Sequence, residues 1–385
     1  MVTQKLFDDG ELFEFEGKVL SCEQVKKGYE VTLDKSAFFP EGGGQAGDVG
    51  TLGNAKVLDT QEREGIVYHK TDKPLEVGST VTGVIDKDIR LRRMQNHSGE
   101  HLIMGFIHQM LGYDNVGFHL GKDEVTLDLN GVITDEQLRE CELKANKAIA
   151  RDVKITVSYP DDQTLASLDY RSKLENMQNI RIVTIDGIDV CACCAPHLSS
   201  TGKIGLVKVL SHESYKGGTR VHILCGLDAV EVFSQRLDTV REISRLLSAK
   251  PEKAADFVSK LLSDNNALKQ QLADIAAKQT DEIIKGLSND GRGSFCVFAD
   301  SLDMNSMRRI ANEGVALTDG VFGVFSAAAN GYSYIMASSS VALRARAKEI
   351  NAALGGKGGG SDAMIQGSVT ADEKTIREFF GTLDT

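Results

Sequence analysis

Two short stretches decide the expected architecture: His97-Ser98-Gly99-Glu100-His101 and, about ninety residues later, Cys191-Ala192-Cys193-Cys194-Ala195-Pro196-His197. His97 and His101 are four residues apart, so a helix would present both imidazoles on one face, one turn apart. Apolar residues recur at helical spacing after His101 and predict this helix; they are Leu102, Ile103, Phe106, Ile107 and Met110. The first stretch is therefore a candidate chelating pair.

The second stretch supplies a matching pair, because Cys193 and His197 are again four residues apart. Pro196 between them favours a turn over a helix interior. Nitrogen and thiolate donors suit tetrahedral Zn²⁺ better than Mg²⁺ or Ca²⁺. Two alternatives stay open: the histidines could be ordinary surface or core residues, and Cys191 and Cys194 form a C-x-x-C that could serve redox chemistry. The joint occurrence of both pairs favours a metal site, in which Cys191 or Cys194 could also replace Cys193 as a ligand.

Length and composition narrow the class of protein. The 385 residues are enough for two or three domains. No run approaches the length of an apolar membrane span, the first residues lack the apolar core of a signal peptide, and the seven cysteines fit a reducing compartment. We therefore expect a cytoplasmic protein. The net charge of −11 at pH 7 disfavours a polyanionic partner. A local basic face would be sufficient to bind one, and Lys203, Lys208, Lys216 and Arg220 follow the cysteine stretch closely.

The coarse pattern predicts an α+β multidomain chain. Short β-like segments separated by Gly and Asp over residues 1–88 predict a small β-barrel or sandwich, interrupted by the glycine-rich loop 38–50. Helical and strand-like segments alternate over residues 89–227 and predict an α/β domain that carries the metal site. Residues 228–287 have a helical pattern, and residues 288–385 have the pattern of a second α/β domain.

The helical segment contains a predicted coiled-coil seam, in which apolar residues step by three and four around one polar position; the seam is Val258, Leu261, Asn265, Leu268, Leu272 and Ile275. A buried Asn265 would fix the register of the pairing helix. The seam spans about three heptads and fits a homodimer and an antiparallel intramolecular hairpin equally well. Further on, the run Gly355-Gly356-Lys357-Gly358-Gly359-Gly360 is expected to form a helix C-cap and a flexible loop.

Three motifs give the chain a resemblance to a known family. They are Phe38-Phe39-Pro40-Glu41-Gly42-Gly43-Gly44-Gln45-Ala46-Gly47-Asp48, the H-x-x-x-H of His97 and His101, and the C-x-x-x-H of Cys193 and His197 followed by Ser200-Thr201-Gly202-Lys203-Ile204-Gly205. In this order they resemble the editing domain of alanyl-tRNA synthetase and its free-standing relatives, the alanyl-tRNA editing proteins. The resemblance implies that the chain hydrolyses an aminoacyl ester at the 3′ end of tRNA, and that Zn²⁺ is bound by His97, His101, Cys193 and His197.

The resemblance also implies an aminoacyl pocket. Ser36 stands where the family has a Thr that contacts the hydroxyl of a wrongly attached serine, and Gln45 matches the family's pocket glutamine. Phe39 occupies a position where Tyr is common, which removes one possible polar contact. The glycine run around Lys357 is similar to the G-G-K/R-G-G-G element near the end of alanyl-tRNA synthetases. Residues 288–385 are then expected to bind tRNA or to dimerise, and tRNA contacts are expected from Lys203, Lys216, Arg220 and Lys357.

The resemblance predicts zinc-dependent, ATP-independent hydrolysis of Ser-tRNA(Ala), Gly-tRNA(Ala) or both in trans, as a step of translation quality control. The choice between serine and glycine stays open, as does the choice between a zinc ion that activates water and one that positions the substrate. Two other functions fit parts of the sequence. The first stretch also matches H-x-x-E-H, in which Glu100 would be the general base of a zinc peptidase, but this leaves Cys193 and His197 without a role. The other function is a non-catalytic tRNA-binding module with structural zinc.

Overall fold

The structure is a computed structural model that describes residues 2–121, 124–172, 180–288 and 293–383. The chain divides into two units, Met1–Arg241 and Glu242–Thr385. Among the described helices, none is both long enough and apolar enough to cross a membrane.

A closed barrel occupies the N-terminal part of the first unit. The strands of this part are β1 (Gln4–Lys5), β2 (Glu14–Val25), β3 (Gly28–Leu33), β4 (Lys35–Ser36), β5 (Gly50–Leu52), β6 (Ala55–Arg63), β7 (Ile66–Thr71) and β8 (Thr80–Ile85). The barrel closes in the order β2-β3-β7-β6-β5-β8, and β1 pairs with β4 beside it. Exposed and buried side chains alternate at the start of β2, so Phe15 and Val19 fill the interior. The expected small barrel is confirmed.

Helices and two further sheets complete the first unit. The elements are α1 (Lys87–Leu111), β9 (Asn115–Leu120), β10 (Val125–Leu129), α2 (Asp135–Ala150), β11 (Ile155–Ser158), α3 (Asp162–Ser167), β12 (Ile182–Ile185), β13 (Asp189–Ala192), β14 (Val207–Tyr215), β15 (Gly218–Cys225) and α4 (Gly226–Leu246), which crosses the boundary between the units. One antiparallel sheet has the order β14-β15-β10-β9, and the other has the order β11-β12-β13. A 3₁₀ turn, Thr201–Ile204, lies between β13 and β14.

The long helix α1 runs through the core of the first unit. Asp86 caps its N-terminus by accepting a hydrogen bond from the Ile89 backbone N–H at 3.0 Å. Gly112 ends the helix in the left-handed conformation, at φ 69°. The middle of the helix, residues 96–105, is buried on every side. Because this part of α1 is enclosed by packed neighbours, the directions of its polar side chains are fixed.

The second unit is built on one mixed sheet with helices on both faces. Its elements after α4 are α5 (Ala254–Gly286), β16 (Phe295–Ala299), α6 (Met304–Gly314), β17 (Phe322–Ala328), β18 (Gly331–Ala337), α7 (Leu343–Ala353), β19 (Gly356–Gly360), β20 (Met364–Val369) and α8 (Glu373–Thr382). The strand order is β16-β17-β18-β20-β19, with β16 and β17 parallel. Successive residues of β17 contribute to two apolar clusters, Val324 to the one that includes α6 and Phe325 to the one that includes α7 and α8.

The glycine run near the end of the chain differs from the expectation. Gly356–Gly360 form β19, paired antiparallel with β20, and not a C-cap with a flexible loop. Gly355, at φ 61°, makes the turn between α7 and this strand. The ladder hydrogen bonds of a sheet need no side chain, so the sheet edge accepts glycines that local propensity assigns to a loop.

The predicted seam lies on α5, and its apolar side chains are exposed. Leu268 and Leu272, for example, are 58% and 67% exposed. This confirms the helix, whereas the coiled-coil partner stays a prediction.

Candidate metal centre

The structure brings His97, His101, Cys193 and His197 into one cluster, in which one ligand atom of each residue lies within 4.8 Å of the others. His97 and His101 leave consecutive turns of α1, and both are almost fully buried. Cys193 and His197 come from the loop that follows β13. The two pairs recognised in the sequence therefore form a single set of donor atoms.

Two separations within the cluster match those expected around a tetrahedral metal ion. The Nε2 atoms of His97 and His197 lie 3.6 Å and 3.3 Å from Sγ of Cys193. With Zn–S near 2.3 Å and Zn–N near 2.0–2.1 Å, a tetrahedral angle separates sulfur from nitrogen by about 3.5 Å. The sulfur and nitrogen donors are also those that zinc prefers. These residues can therefore hold a metal ion, and zinc suits them best.

Two of the histidines are oriented through their other ring nitrogen. Nδ1 of His97 lies 3.0 Å from Oε1 of Gln45, and Nδ1 of His101 lies 3.1 Å from Oδ2 of Asp189. Arg171 holds the Asp189 carboxylate with two hydrogen bonds, each 2.8 Å long. An acceptor at Nδ1 fixes the tautomer that leaves the Nε2 lone pair free for a metal ion. Gln45 and Asp189 thus direct both rings into the cluster.

The loop that carries Cys193 and His197 is held from two sides. Nδ1 of His197 lies 3.0 Å from Oγ of Ser98, which also accepts from the Leu198 backbone N–H at 3.2 Å. On the other side, Nη1 of Arg181 donates to the backbone carbonyl of Cys193 at 2.9 Å and to that of Ala195 at 2.8 Å. These contacts place the thiol and the imidazole without help from a regular element, since Pro196 prevents a helix here.

The electrostatics of the cluster favour the forms that bind a cation. Burial alone would raise the pKa of the Cys193 thiol, but His97 and His197 lower it well below its ordinary value. Burial lowers the pKa of His197 to about 3, which keeps its imidazole neutral. Burial would also lower the pKa of His101, but Cys191, Asp189 and Cys193 raise it well above its ordinary value. The negative charge that favours a proton on His101 would equally favour a metal ion at this position. A Cys193 thiolate with neutral imidazoles is the state that binds a metal ion.

The other two cysteines of the stretch are placed differently. Cys191 belongs to a second grouping of possible ligands, with His101 and Asp189. In that grouping Asp189 already accepts hydrogen bonds from Arg171 and pairs with His101 Nδ1, so its carboxylate is engaged. Cys194 is exposed and belongs to neither grouping found in the described part of the chain. The geometry therefore favours Cys193 as the sulfur ligand.

The glycine-rich loop reaches the cluster through Gln45. The backbone N–H and carbonyl of Gln45 form hydrogen bonds with the backbone of Gly42, both 3.0 Å long. Gly44, at φ 82°, packs so closely that an added Cβ would lie 2.7 Å from the ring of Phe118. This ring in turn contacts the His97 ring in a tilted arrangement, with 4.7 Å between centroids. The side-chain Nε2 of Gln45 is buried and has no hydrogen-bond partner among the described residues. It is a buried donor, on the side chain that contacts His97, whose hydrogen-bonding capacity is not used by the described residues.

Ser36, the second predicted pocket residue, lies inside the barrel. It is fully buried; its Oγ is 2.7 Å from Nε2 of His69 and accepts from the Phe38 backbone N–H at 3.1 Å. The other ring nitrogen of His69 lies 3.0 Å from the Val31 carbonyl, which makes Nδ1 the donor and Nε2 the acceptor. Ser36 therefore donates its proton to His69, and the structure shows no hydrogen bond from it to the metal-ligand cluster.

The expected tRNA-binding residues fall in separate places. Lys203 forms an ion pair with Glu11, with its Nζ 2.6 Å from a carboxylate oxygen. Lys357 lies on β19 in the second unit. Neither residue contacts the metal-ligand cluster within the described structure.

Lys216 and Arg220 meet at one aromatic ring. Nζ of Lys216 lies 5.1 Å, and Cζ of Arg220 3.7 Å, from the ring centroid of Tyr215. Arg220 also pairs with Asp128 through two hydrogen bonds of 2.6 Å and 2.8 Å. The guanidinium is thus already paired with a carboxylate, whereas the described contacts include no carboxylate partner for Lys216.

Several residues that support the site have no direct signal in the sequence. Asp189, Arg171 and Arg181 act on the ligands from positions that follow no recognised motif. Asp189 lies close to the cysteine stretch in the sequence, but its partner His101 is 88 residues away. Neighbouring residues carry no signal for a pairing over this distance. Glu100, which the H-x-x-E-H pattern would make the general base of a peptidase, is buried beside His101.

Comparisons with known proteins agree with this geometry. The family model of the threonyl and alanyl tRNA synthetase second additional domain matches residues 180–222, which include Cys193 and His197. The model of class II (A) tRNA synthetases matches residues 8–89. The alanyl-tRNA editing protein AlaX-L of Pyrococcus horikoshii is 27% identical over 394 residues, covering 98% of this chain and 96% of that protein. The chain is a homologue of this alanyl-tRNA editing protein.

Alanine–tRNA ligases are similar over the same region. The ligase of Archaeoglobus fulgidus is 31% identical over 390 residues, covering 95% of this chain and 42% of the ligase. That of Methanopyrus kandleri is 28% identical and covers 94% of this chain and 42% of the ligase. The chain therefore spans less than half the length of these ligases. Among solved structures, the C-Ala domain of Aquifex aeolicus alanyl-tRNA synthetase aligns with 26% of this chain and all of its own, at a TM-score of 0.23 and 16% identity, which is too low to establish a shared fold.

Proposed function

We propose that the protein hydrolyses mischarged aminoacyl-tRNA, Ser-tRNA(Ala) and/or Gly-tRNA(Ala), in trans, with zinc and without ATP, as a cytoplasmic step of translation quality control. The observation that supports this proposal is the grouping of His97, His101, Cys193 and His197, whose ligand atoms lie within 4.8 Å of one another, in a homologue of an alanyl-tRNA editing protein. The match to editing relatives extends over nearly the whole chain, so it includes both the barrel and the metal-ligand elements.

The chemistry divides between the metal and the protein. A bound zinc ion would lower the pKa of a water molecule or polarise the ester carbonyl. Gln45, Asp189 and Ser98 hold the three imidazole rings in place, so the geometry is formed before the substrate arrives. The unpartnered Nε2 of Gln45 offers a hydrogen bond to an oxygen of the aminoacyl group. Ser36 stays a proposed contact for the serine hydroxyl, which would have to replace its hydrogen bond to His69.

Binding of tRNA and dimerisation complete the proposal. The basic side chain of Lys216, with Arg220, Lys203 and Lys357, would contact the phosphate backbone, since a local basic surface can act within an acidic chain. The exposed apolar stripe on α5 would pair with the same stripe of a second copy.

Two other functions explain less of the geometry. A zinc peptidase of the H-x-x-E-H type would not require Cys193 and His197, yet both lie in the same donor set as the helix histidines. A binding module with purely structural zinc would not require a buried, unpartnered donor beside the ligands, as Gln45 provides.

The test is deacylation of Ser-tRNA(Ala) and Gly-tRNA(Ala), with Ala-tRNA(Ala) as the correctly charged control. We expect the zinc-loaded protein to release serine or glycine and spare alanine, and His97→Ala and Cys193→Ala to lose this activity while keeping their secondary structure. His108→Ala is the matched control, because His108 lies on the same helix and is 42% exposed at its side chain. If the folded, zinc-loaded protein leaves both esters intact, the proposed function is wrong; activity retained by Cys193→Ala would favour the peptidase-type site.

A further inference from the structure

A groove of about 520 Å³ lies between α1 and α2 in the first unit, and we call it the α1–α2 groove. On the α1 side it is lined by the half-buried apolar side chains of Phe106 and Met110, which pack against the core. On the α2 side it is lined by three cations, Lys144, Lys147 and Arg151. Such a lining suits a ligand that has both flat apolar faces and negative charges.

Two of the three cations have no acidic partner. Nζ of Lys144 lies 3.0 Å from the Glu140 carboxylate, whereas the described contacts include no carboxylate partner for Lys147 or Arg151. Asp152, the next residue after Arg151, accepts a backbone hydrogen bond at 2.9 Å. Cations at the C-terminus of a helix also stabilise the helix dipole, but this role does not require an apolar cavity beside them. The α1–α2 groove therefore presents two exposed positive charges to a ligand.

The α1–α2 groove is connected to the surroundings of the metal-ligand cluster. Gln109 lines both the groove and an adjoining cavity of about 550 Å³. Asp189, whose carboxylate orients His101, lines the same cavity. Gln109 follows His101 on α1 by about 12 Å along the helix axis. A polynucleotide strand whose terminal ester is held at the cluster can therefore continue across this cavity into the groove.

We propose that the α1–α2 groove binds the unpaired 3′ strand of the tRNA, with a base stacked on Phe106 and phosphates at Lys147 and Arg151. This inference rests on the proposed deacylase function. Bases of a single strand stack on aromatic side chains whatever their sequence, while basic side chains follow the phosphates. Lys147 and Arg151 are one turn apart, about 6 Å along the axis of α2, and can contact successive phosphates. A paired stem has its bases stacked internally, so it would leave the apolar side of the groove unused.

The experiment measures the binding of uncharged tRNA(Ala), and of the same tRNA without its unpaired 3′ nucleotides, over a range of salt concentrations. Each phosphate contact to a single strand contributes about 0.7 to the slope of log Kd against log salt concentration. Lys147→Gln/Arg151→Gln should therefore lower this slope by about 1.4 for the intact tRNA and weaken its binding about 3- to 10-fold. The shortened tRNA should bind this variant and wild type equally. Lys26→Gln/Lys27→Gln is the matched control, because these exposed lysines between β2 and β3 remove the same charge; it should leave the difference between the two RNAs as in wild type.

A second variant separates stacking from charge. Phe106→Leu keeps an apolar side chain against the core but removes the aromatic face, so it should weaken binding of the intact tRNA about fivefold or more, with the salt slope unchanged. Circular dichroism checks that each variant is folded. An equal loss of binding for both RNAs in Lys147→Gln/Arg151→Gln would place the contact on a paired stem, and an unchanged slope would leave the groove to another ligand, such as an acidic protein segment. Either result overturns the inference. A wild type that binds tRNA but cleaves neither Ser-tRNA(Ala) nor Gly-tRNA(Ala) would instead refute the proposed deacylase function, and the binding comparison would still decide the role of the groove.

Discussion

Breaking the buried ion pair between Arg90 and Asp48 should destabilise the first unit strongly. Arg90 is fully buried at the start of α1, and Asp48 is 1% exposed in the glycine-rich loop. Nε of Arg90 donates to the Asp48 carboxylate at 2.9 Å, and its Nη atoms donate to the Gly10 carbonyl at 3.0 Å and the Ala37 carbonyl at 2.7 Å. One guanidinium therefore joins the metal-ligand helix to the barrel and to the loop that carries Gln45.

The expected magnitude follows from what each substitution leaves behind. Arg90→Met leaves a buried carboxylate whose remaining cation, Arg93, lies 3.6 Å away, and it removes the donors of two buried carbonyls. Removing one partner of a buried pair costs about 3–5 kcal/mol of the free energy of unfolding. Asp48→Asn should cost a similar amount, because it leaves the Arg90 charge uncompensated. The double variant should lose clearly less than the sum, since neither charge remains without its partner.

Native-state hydrogen exchange measures this loss in the first unit. Protected amides of β3 and α1 report the opening free energy, and those of β17 and β18 serve as an internal reference in the second unit. Arg63→Met is the matched control, because its ion pair with Glu30 is exposed to solvent and should contribute little to stability. A loss below about 1 kcal/mol for Arg90→Met, or additive losses in the double variant, would refute the reasoning.

Three other perturbations test the site, the barrel and the proposed dimer. Gln45→Leu removes the acceptor at His97 Nδ1 and should weaken zinc binding about 10- to 100-fold in a chelator competition, as loss of such an orienting contact typically does. Burial lowers the pKa of His69 to about 4, although its hydrogen bond to the Val31 carbonyl opposes this shift. Between pH 6.5 and pH 4, His69 therefore binds a proton in the unfolded chain but not in the folded chain. The free energy of unfolding should therefore decrease as the pH is lowered, by about 2 kcal/mol from pH 7 to pH 5. His69→Gln should lack this contribution when urea unfolding is measured at the two pH values. If α5 mediates a homodimer, replacing its exposed Leu268 with Asp should convert a dimer to a monomer in sedimentation equilibrium.

Each of these three predictions has a control or an outcome that would contradict it. Gln61→Leu on the barrel surface should leave zinc affinity unchanged, and a change below about threefold in Gln45→Leu would contradict the orienting role. Equal pH dependence in wild type and His69→Gln would show that His69 does not titrate in the way described. Lys278→Glu introduces a negative charge elsewhere on α5 and should leave the oligomeric state unchanged; a wild-type monomer would exclude the dimer.

The sequence by itself determined the elements that have a local signature. The four-residue interval between His97 and His101 and the apolar residues after it predicted a helix with both rings on one face, and α1 has this geometry. Thr134 and Gln137 form a capping box at the start of α2, a signal that is complete within four residues. The barrel followed from short β-like segments separated by Gly and Asp, since turn residues act on the chain locally.

Only the tertiary structure decided which distant groups meet. The acceptors at the Nδ1 atoms of His97 and His101 are 52 and 88 residues away, and no local pattern states such a pairing. The same holds for β19, where pairing with β20 made a strand of Gly356–Gly360 against the local preference for a loop. Local propensity arises from neighbouring residues, whereas the partners of a buried polar group are fixed by packing across the chain. The ligand types could therefore be read from the sequence, but the groups that orient them could not.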